Sequence, residues 1–119
     1  MSKVGFIGLG TMGYPMAGHI SKSFTTFVFN RTKTKSQKWM HQYKGTVCQS
    51  VADLSQRSDI IFLCLSRDCD VHEIICGNGG ILENVKPGSI IVDHSTTSKD
   101  LTLNMKEQLQ DHKCFYLDA

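Results

Sequence analysis

Three glycines, Gly8, Gly10 and Gly13, recur with G-x-G-x-x-G spacing inside VGFIGLGTMGYPMA, residues 4–17, where an apolar run gives way to a polar Thr11 and a helix-like segment. Residues without side chains at such a junction let the main chain itself bind. Gly8 permits a tight turn, Gly10 lets the backbone approach a diphosphate, and Gly13 lets the helix pack close to the strand. The bare N–H groups of the helix start then face the anion, helped by the helix dipole. The spacing alone is a weak signal, and a glycine-rich turn with only a packing role competes with it. Its weight comes from the strand before it, the helix after it and the second strand beyond.

That second strand ends in FNRT, with Asn30, Arg31 and Thr32 followed by Lys33 and Lys35. A site for NAD(H) usually carries Asp or Glu there to hold the ribose 2′-hydroxyl, and such a carboxylate repels a 2′-phosphate. Asn30 can hydrogen-bond a ribose without that repulsion. Arg31 can lie over an adenine and pair with a phosphate in fork geometry. Thr32 offers a hydroxyl and is placed to cap the next helix. These residues favour NADP(H) as cofactor, with NAD(H) also admissible; a solvated, charged turn is the plainer alternative.

The elements that must position these residues are legible in the patterning. Apolar, β-branched runs at 3–8, 25–30, 45–49, 59–65, 89–94 and 114–118 alternate with helix-like stretches near 11–22, 33–43, 50–57, 69–76 and 98–111. Strand and helix in alternation argue for βαβ units and a mostly parallel sheet, whose central strands read as continuous apolar runs. With the glycine fingerprint this gives an α/β, Rossmann-type doubly wound fold of three layers, strand order 3-2-1-4-5-6, in one domain spanning 1–119. The turns GNGG (77–80) and KPGS (86–89) punctuate it.

Composition narrows the function. The 119 residues carry 13 basic and 11 acidic side chains, and a net charge of +2 is too small to argue for nucleic acid. No apolar run approaches the roughly 18 residues of a membrane span, and MSKVGF lacks the apolar core of a signal peptide. Five cysteines without a C-x-x-C pair fit neither a disulfide framework nor a zinc site. Cys48, Cys64 and Cys114 lie in apolar runs and suit the core, while Cys69 reads as the most exposed thiol. A cytoplasmic or organelle-matrix setting fits best. The five histidines show no metal-ligand spacing. Trp39 and Tyr43, one helical turn apart, suit packing of the second helix. For Asp68 and Asp70 capping of the following helix is the preferred role, and for Asp93 and His94 a structural one.

Taken together, these residues resemble the β-hydroxyacid dehydrogenases, the family of 3-hydroxyisobutyrate dehydrogenase, tartronate semialdehyde reductase and the glyoxylate/succinic semialdehyde reductases. GFIGLGTMGYPMA is similar to the family's opening, and the similarity continues through FNRT, CLSRDCDVHEIICGNGGIL (64–82), VKPGSIIVDHSTTS (85–98) and FYLDA (115–119). 6-Phosphogluconate dehydrogenase is a relative with a similar glycine loop. Where it usually shows a glycine- and asparagine-rich segment, this chain has DHSTTS, which resembles the D-x-S-T of the hydroxyacid branch. NRT is typical of the NADPH-using semialdehyde reductases of that branch.

The resemblance implies particular contacts. Gly8, Leu9, Gly10, Thr11, Met12 and Gly13 match the pyrophosphate loop, and Asn30, Arg31 and Thr32 the adenosine end. Leu65 and Ser66 match a Leu-Pro pair lining the cofactor cleft, with Ser66 departing from the usual proline, and Asp70 or Val71 lies near it. Thr96 matches a threonine beside the nicotinamide ribose, and with Ser95 it is equally placed to cap the helix near Ser98. The resemblance also implies a helical substrate domain, with the family's acid/base lysine, beyond Ala119. The expectation is therefore the cofactor-binding half of an NADP(H)-dependent oxidoreductase acting on a small β-hydroxyacid, semialdehyde or α-keto acid. This chain alone is expected to bind nucleotide without turnover, and a homo-oligomer is compatible with it. A non-catalytic NADP(H)-binding regulatory module and a 6-phosphogluconate dehydrogenase-like enzyme are the alternatives.

Overall fold

The computed structural model describes residues 2–95 and 97–118. Six strands, β1 (Lys3–Ile7), β2 (Thr25–Phe29), β3 (Thr46–Val47), β4 (Ile60–Leu63), β5 (Ile90–Asp93) and β6 (Phe115–Asp118), form one sheet in the order β3-β2-β1-β4-β5-β6. Every neighbouring pair is parallel, with Gly5 beside both Phe27 and Ile61 at the centre. The helices are α1 (Gly13–Ser21), α2 (Lys33–Gln42), α3 (Val51–Arg57), α4 (Asp68–Cys76), α5 (Ile81–Asn84) and α6 (Lys99–Asp111). This is the Rossmann-like α/β architecture that the alternation predicts, with the chain reversing direction across the sheet between β1 and β4.

Because successive strand residues point to opposite faces, β1 and β2 divide their side chains between two cores. Phe6 and Val28 pack with Ala17 of α1 and Trp39 of α2 on one face. Ile7 and Phe27 join Leu54, Ile61, Leu63, Ile75, Ile91, Met105 and Leu109 on the other, under α3, α4 and α6. Each such fully buried aliphatic or aromatic side chain contributes about 1.5–3 kcal/mol. The exposed pairs Arg57–Asp53 and Lys86–Asp59 contribute about 0–1 kcal/mol each. Apolar burial therefore dominates the fold.

Two local features depart from the sequence expectation. β3 is two residues long rather than five, as befits an edge strand, although the Cys48 N–H still donates to the Val28 carbonyl at 2.8 Å. The short helix α5 follows the GNGG turn where none is expected from so few residues. At the other edge, β6 leaves Phe115 and Leu117 exposed. No described helix is long and apolar enough to cross a membrane.

Candidate functional site

All the candidate residues that the structure describes lie at or just beyond the carboxyl ends of β1, β2 and β4, or in the opening turn of α4. Eight of them (Gly8, Gly10, Asn30, Arg31, Thr32, Leu65, Ser66 and Asp70) line one cleft of about 200 Å³ between the β1/β2 and β4 crossovers. Leu9 and Thr11 border an adjoining hollow shared with Gly10 and Lys35. Thr96 lies outside the described residues.

The loop after β1 is shaped by two steric demands. Gly8 has φ +103°, a conformation L side chains rarely adopt, and a Cβ there would overlap the carbonyl oxygen of Cys64. Gly13 sits so close to the turn that a Cβ would strike the carbonyl oxygen of Gly8. Gly10 differs, since nothing lies within 4 Å of where its Cβ would be. Among the described residues, none accepts a hydrogen bond from the N–H of Gly10, Thr11, Met12 or Gly13. α1 begins with no acidic residue in its first turn. A run of unpartnered amides over open space at a helix start fits a diphosphate, because an external anion supplies the missing acceptors.

Asn30 is committed to holding that loop. Its Oδ1 accepts from the Leu9 N–H at 2.8 Å, and its Nδ2 donates to the Thr32 carbonyl at 3.1 Å. The expectation that Asn30 serves a ribose is thus joined by a structural duty that spacing could not show: it clasps the glycine loop to the end of β2. The Leu9 side chain is buried, and the residue borders the adjoining hollow and not the cleft. Arg31 reaches across the cleft mouth, Nη2 lying 3.5 Å from Asp70 Oδ1. Lys35, weighed in the sequence only as a nearby charge, lines both the cleft and the hollow. Its signal was its position in the first turn of α2, four residues after Arg31.

The opposite wall is a relay of satisfied polar groups. Ser95 Oγ accepts from the Leu65 N–H at 2.8 Å, and the Ser95 N–H donates to Asp93 Oδ1 at 2.8 Å. The Tyr116 hydroxyl donates to the other oxygen of Asp93. Burial pushes the Tyr116 phenol far above its ordinary range, so it keeps the proton it donates. This chain of bonds ties β6, β5 and the loop after β4 together beneath Leu65 and Ser66, and it places Asp93 in the structural role expected. His94 stacks on Phe62 at 5.9 Å.

Four expectations are corrected. Val71 is fully buried among the α4 core residues, because α4 turns that face to the sheet; its side chain cannot reach a ligand in the cleft. Thr32 is the N-cap of α2, but its hydroxyl makes no capping bond. Ser95 caps no helix; Ser98 does, accepting from the Leu101 N–H at 3.2 Å. Asp68 and Asp70 do not cap α4, whose N-cap is Arg67 without a side-chain bond. Asp68 accepts from the Ser98 N–H at 2.9 Å, and Asp70 accepts from Arg67 and Arg31. The Ser98 bonds hold the Asp68 carboxyl below its usual range, and the Arg67 bonds do the same for Asp70. Met12 is largely exposed at the start of α1. Of the thiols, Cys48 and Cys114 are buried, Cys64 is partly so, and Cys69 is exposed.

Comparison with known proteins agrees with this fold. Residues 3–119 match the family described as the NAD binding domain of 6-phosphogluconate dehydrogenase. A Shewanella frigidimarina protein described as an uncharacterized oxidoreductase is 39% identical over 120 residues, covering 100% of this chain and 41% of its own. The mitochondrial 3-hydroxyisobutyrate dehydrogenase of Rattus norvegicus is 30% identical over 116 residues, covering 98% of this chain and 35% of its own. Among solved structures, an imine reductase from Myxococcus stipitatus in complex with NADP+ superposes with a TM-score of 0.85 at 25% identity, covering 98% of this chain and 39% of that one. The chain thus spans less than half the length of these relatives.

Proposed function

The chain belongs to the NAD-binding domain family of 6-phosphogluconate dehydrogenase and the β-hydroxyacid dehydrogenases, and from that premise we propose that it is the cofactor-binding half of an NADP(H)-dependent oxidoreductase. The single observation that carries the proposal is the run of amides at Gly10–Gly13 without an acceptor among the described residues, beginning at Gly10 in a cleft that Arg31 and Lys35 also line, with no acidic residue at the end of β2. Nicotinamide cofactors supply or accept a hydride. The residues of this chain hold and orient. The Gly8–Gly13 loop, fixed by Asn30, supplies diphosphate donors. Arg31 and Lys35 supply positive charge where a 2′-phosphate would lie, and Thr32 a hydroxyl beside it. Leu65 and Ser66, set by the Ser95–Asp93 relay, form the facing wall. The NADP+ complex of the imine reductase supports the cofactor class.

For the whole protein we propose reduction of a small semialdehyde or α-keto acid, or oxidation of the matching β-hydroxyacid, in keeping with the name of the rat relative. Titrating NADPH and NADH against the wild-type chain and Arg31→Ala tests the cofactor assignment. NADPH binds more tightly to wild type, and Arg31→Ala weakens NADPH about tenfold, as expected for a lost charge-assisted pair, while NADH changes less than about twofold. Equal wild-type affinities, or equal losses in the variant, refute it.

A further inference from the structure

The pair Arg31–Asp70 joins the two walls of the cleft; among the described residues no other ion pair does. Arg31 follows β2 and Asp70 sits in the first turn of α4. Their surroundings are unequal. The Asp70 side chain is 16% exposed and is gripped by Arg67 through Nε at 3.2 Å and Nη2 at 3.3 Å. The Arg31 side chain is 65% exposed and reaches the same carboxylate at 3.5 Å, the longest of the three contacts. Charge-assisted bonds of full strength are closer to about 2.8 Å. The carboxylate is therefore the fixed partner and Arg31 the movable one, drawn across the cleft mouth by a weak tether.

We propose that Asp70 is a specificity-determining residue that competes with the bound nucleotide for Arg31. This rests on the NADP(H) assignment above. An arriving 2′-phosphate must take Arg31 from Asp70. A ribose 2′-hydroxyl carries no charge and makes no such demand. Asp70 thus acts against the phosphorylated cofactor, moderating a preference that Arg31 and Lys35 would otherwise make steeper. It also leaves the guanidinium parked beside its site.

The test is a double-mutant cycle on the purified chain with Asp70→Asn and Arg31→Ala, read by NADPH and NADH titration. An exposed pair of this kind is small in energy, so Asp70→Asn is expected to tighten NADPH about three- to fivefold and NADH less than about twofold. The NADPH gain disappears in the Arg31→Ala background and shrinks at high salt. Asp70→Ser gives the same result without the amide, and Asp111→Asn, the same charge change on the far end of α6, gives none. Weaker NADPH binding in Asp70→Asn would mean that Asp70 positions Arg31 and would overturn the proposal. An unchanged affinity, or a gain that survives Arg31→Ala, overturns it equally. A wild-type chain that binds neither nucleotide overturns the cofactor assignment itself, and this inference with it. NADPH binding by wild type without a gain in the variants overturns this inference alone.

Discussion

Two helices of the same length start at neighbouring parallel strands and point their amino ends at the same cleft, yet they treat an anion in opposite ways. α1 follows β1, and α4 follows β4, its partner in the sheet. α1 has no acidic residue in its first turn, and the amides of Gly10–Gly13 have no acceptor among the described residues. α4 carries Asp68 and Asp70 in its first turn. Negative charge near a helix start stabilises it, so α4 has its anions built in. Asp68 and Asp70 titrate below the usual carboxylate range, so both stay ionised through neutral pH. Their charge is lost only as the pH falls through those lowered values. One helix carries its own anions, and the other has none in its first turn.

The contrast can be broken most severely at the junction that sets α1. Gly8→Ala must accommodate a Cβ against the Cys64 carbonyl at φ +103°, and it should lose about 2–4 kcal/mol of unfolding free energy in a denaturant titration. A loss under about 1 kcal/mol would show that the turn relaxes freely. Giving α1 what α4 already has is the next test. Thr11→Asp places a carboxylate among the free amides and should weaken NADPH and NADH alike by at least about tenfold in fluorescence titrations, with little change in melting temperature. Unchanged binding would show that these amides do not take the anion. The smallest effect is expected from Asn30→Ala, which frees the Leu9 N–H. A stability loss of about 1 kcal/mol and a few-fold weakening of both nucleotides, without a change in their ratio, follow if Asn30 acts through the loop. A selective loss of NADPH would instead put Asn30 in direct contact with the adenosine end.

The sequence by itself determined the order of the strands and of every helix but α5, the parallel sheet and the place of the glycine loop. Those signals are local. Alternating apolar runs report strand and helix periods, and a glycine is demanded wherever a side chain would collide with the neighbouring turn. It also marked Arg31 as a cation where an acid is customary. Local spacing could not say how side chains meet across the fold. The engagement of Asn30 with Leu9 spans 21 residues, and that of Arg31 with Asp70 spans 39. The turn of α4 about its axis, which sends Val71 into the core and leaves Asp70 at the cleft, is set by what packs beneath it. The Tyr116–Asp93–Ser95–Leu65 relay needs three parallel strands brought side by side before any of its bonds can form. Only the tertiary structure decided those pairings, because a hydrogen bond or ion pair depends on distance in space, and the chain fixes that distance only after its apolar faces have been buried.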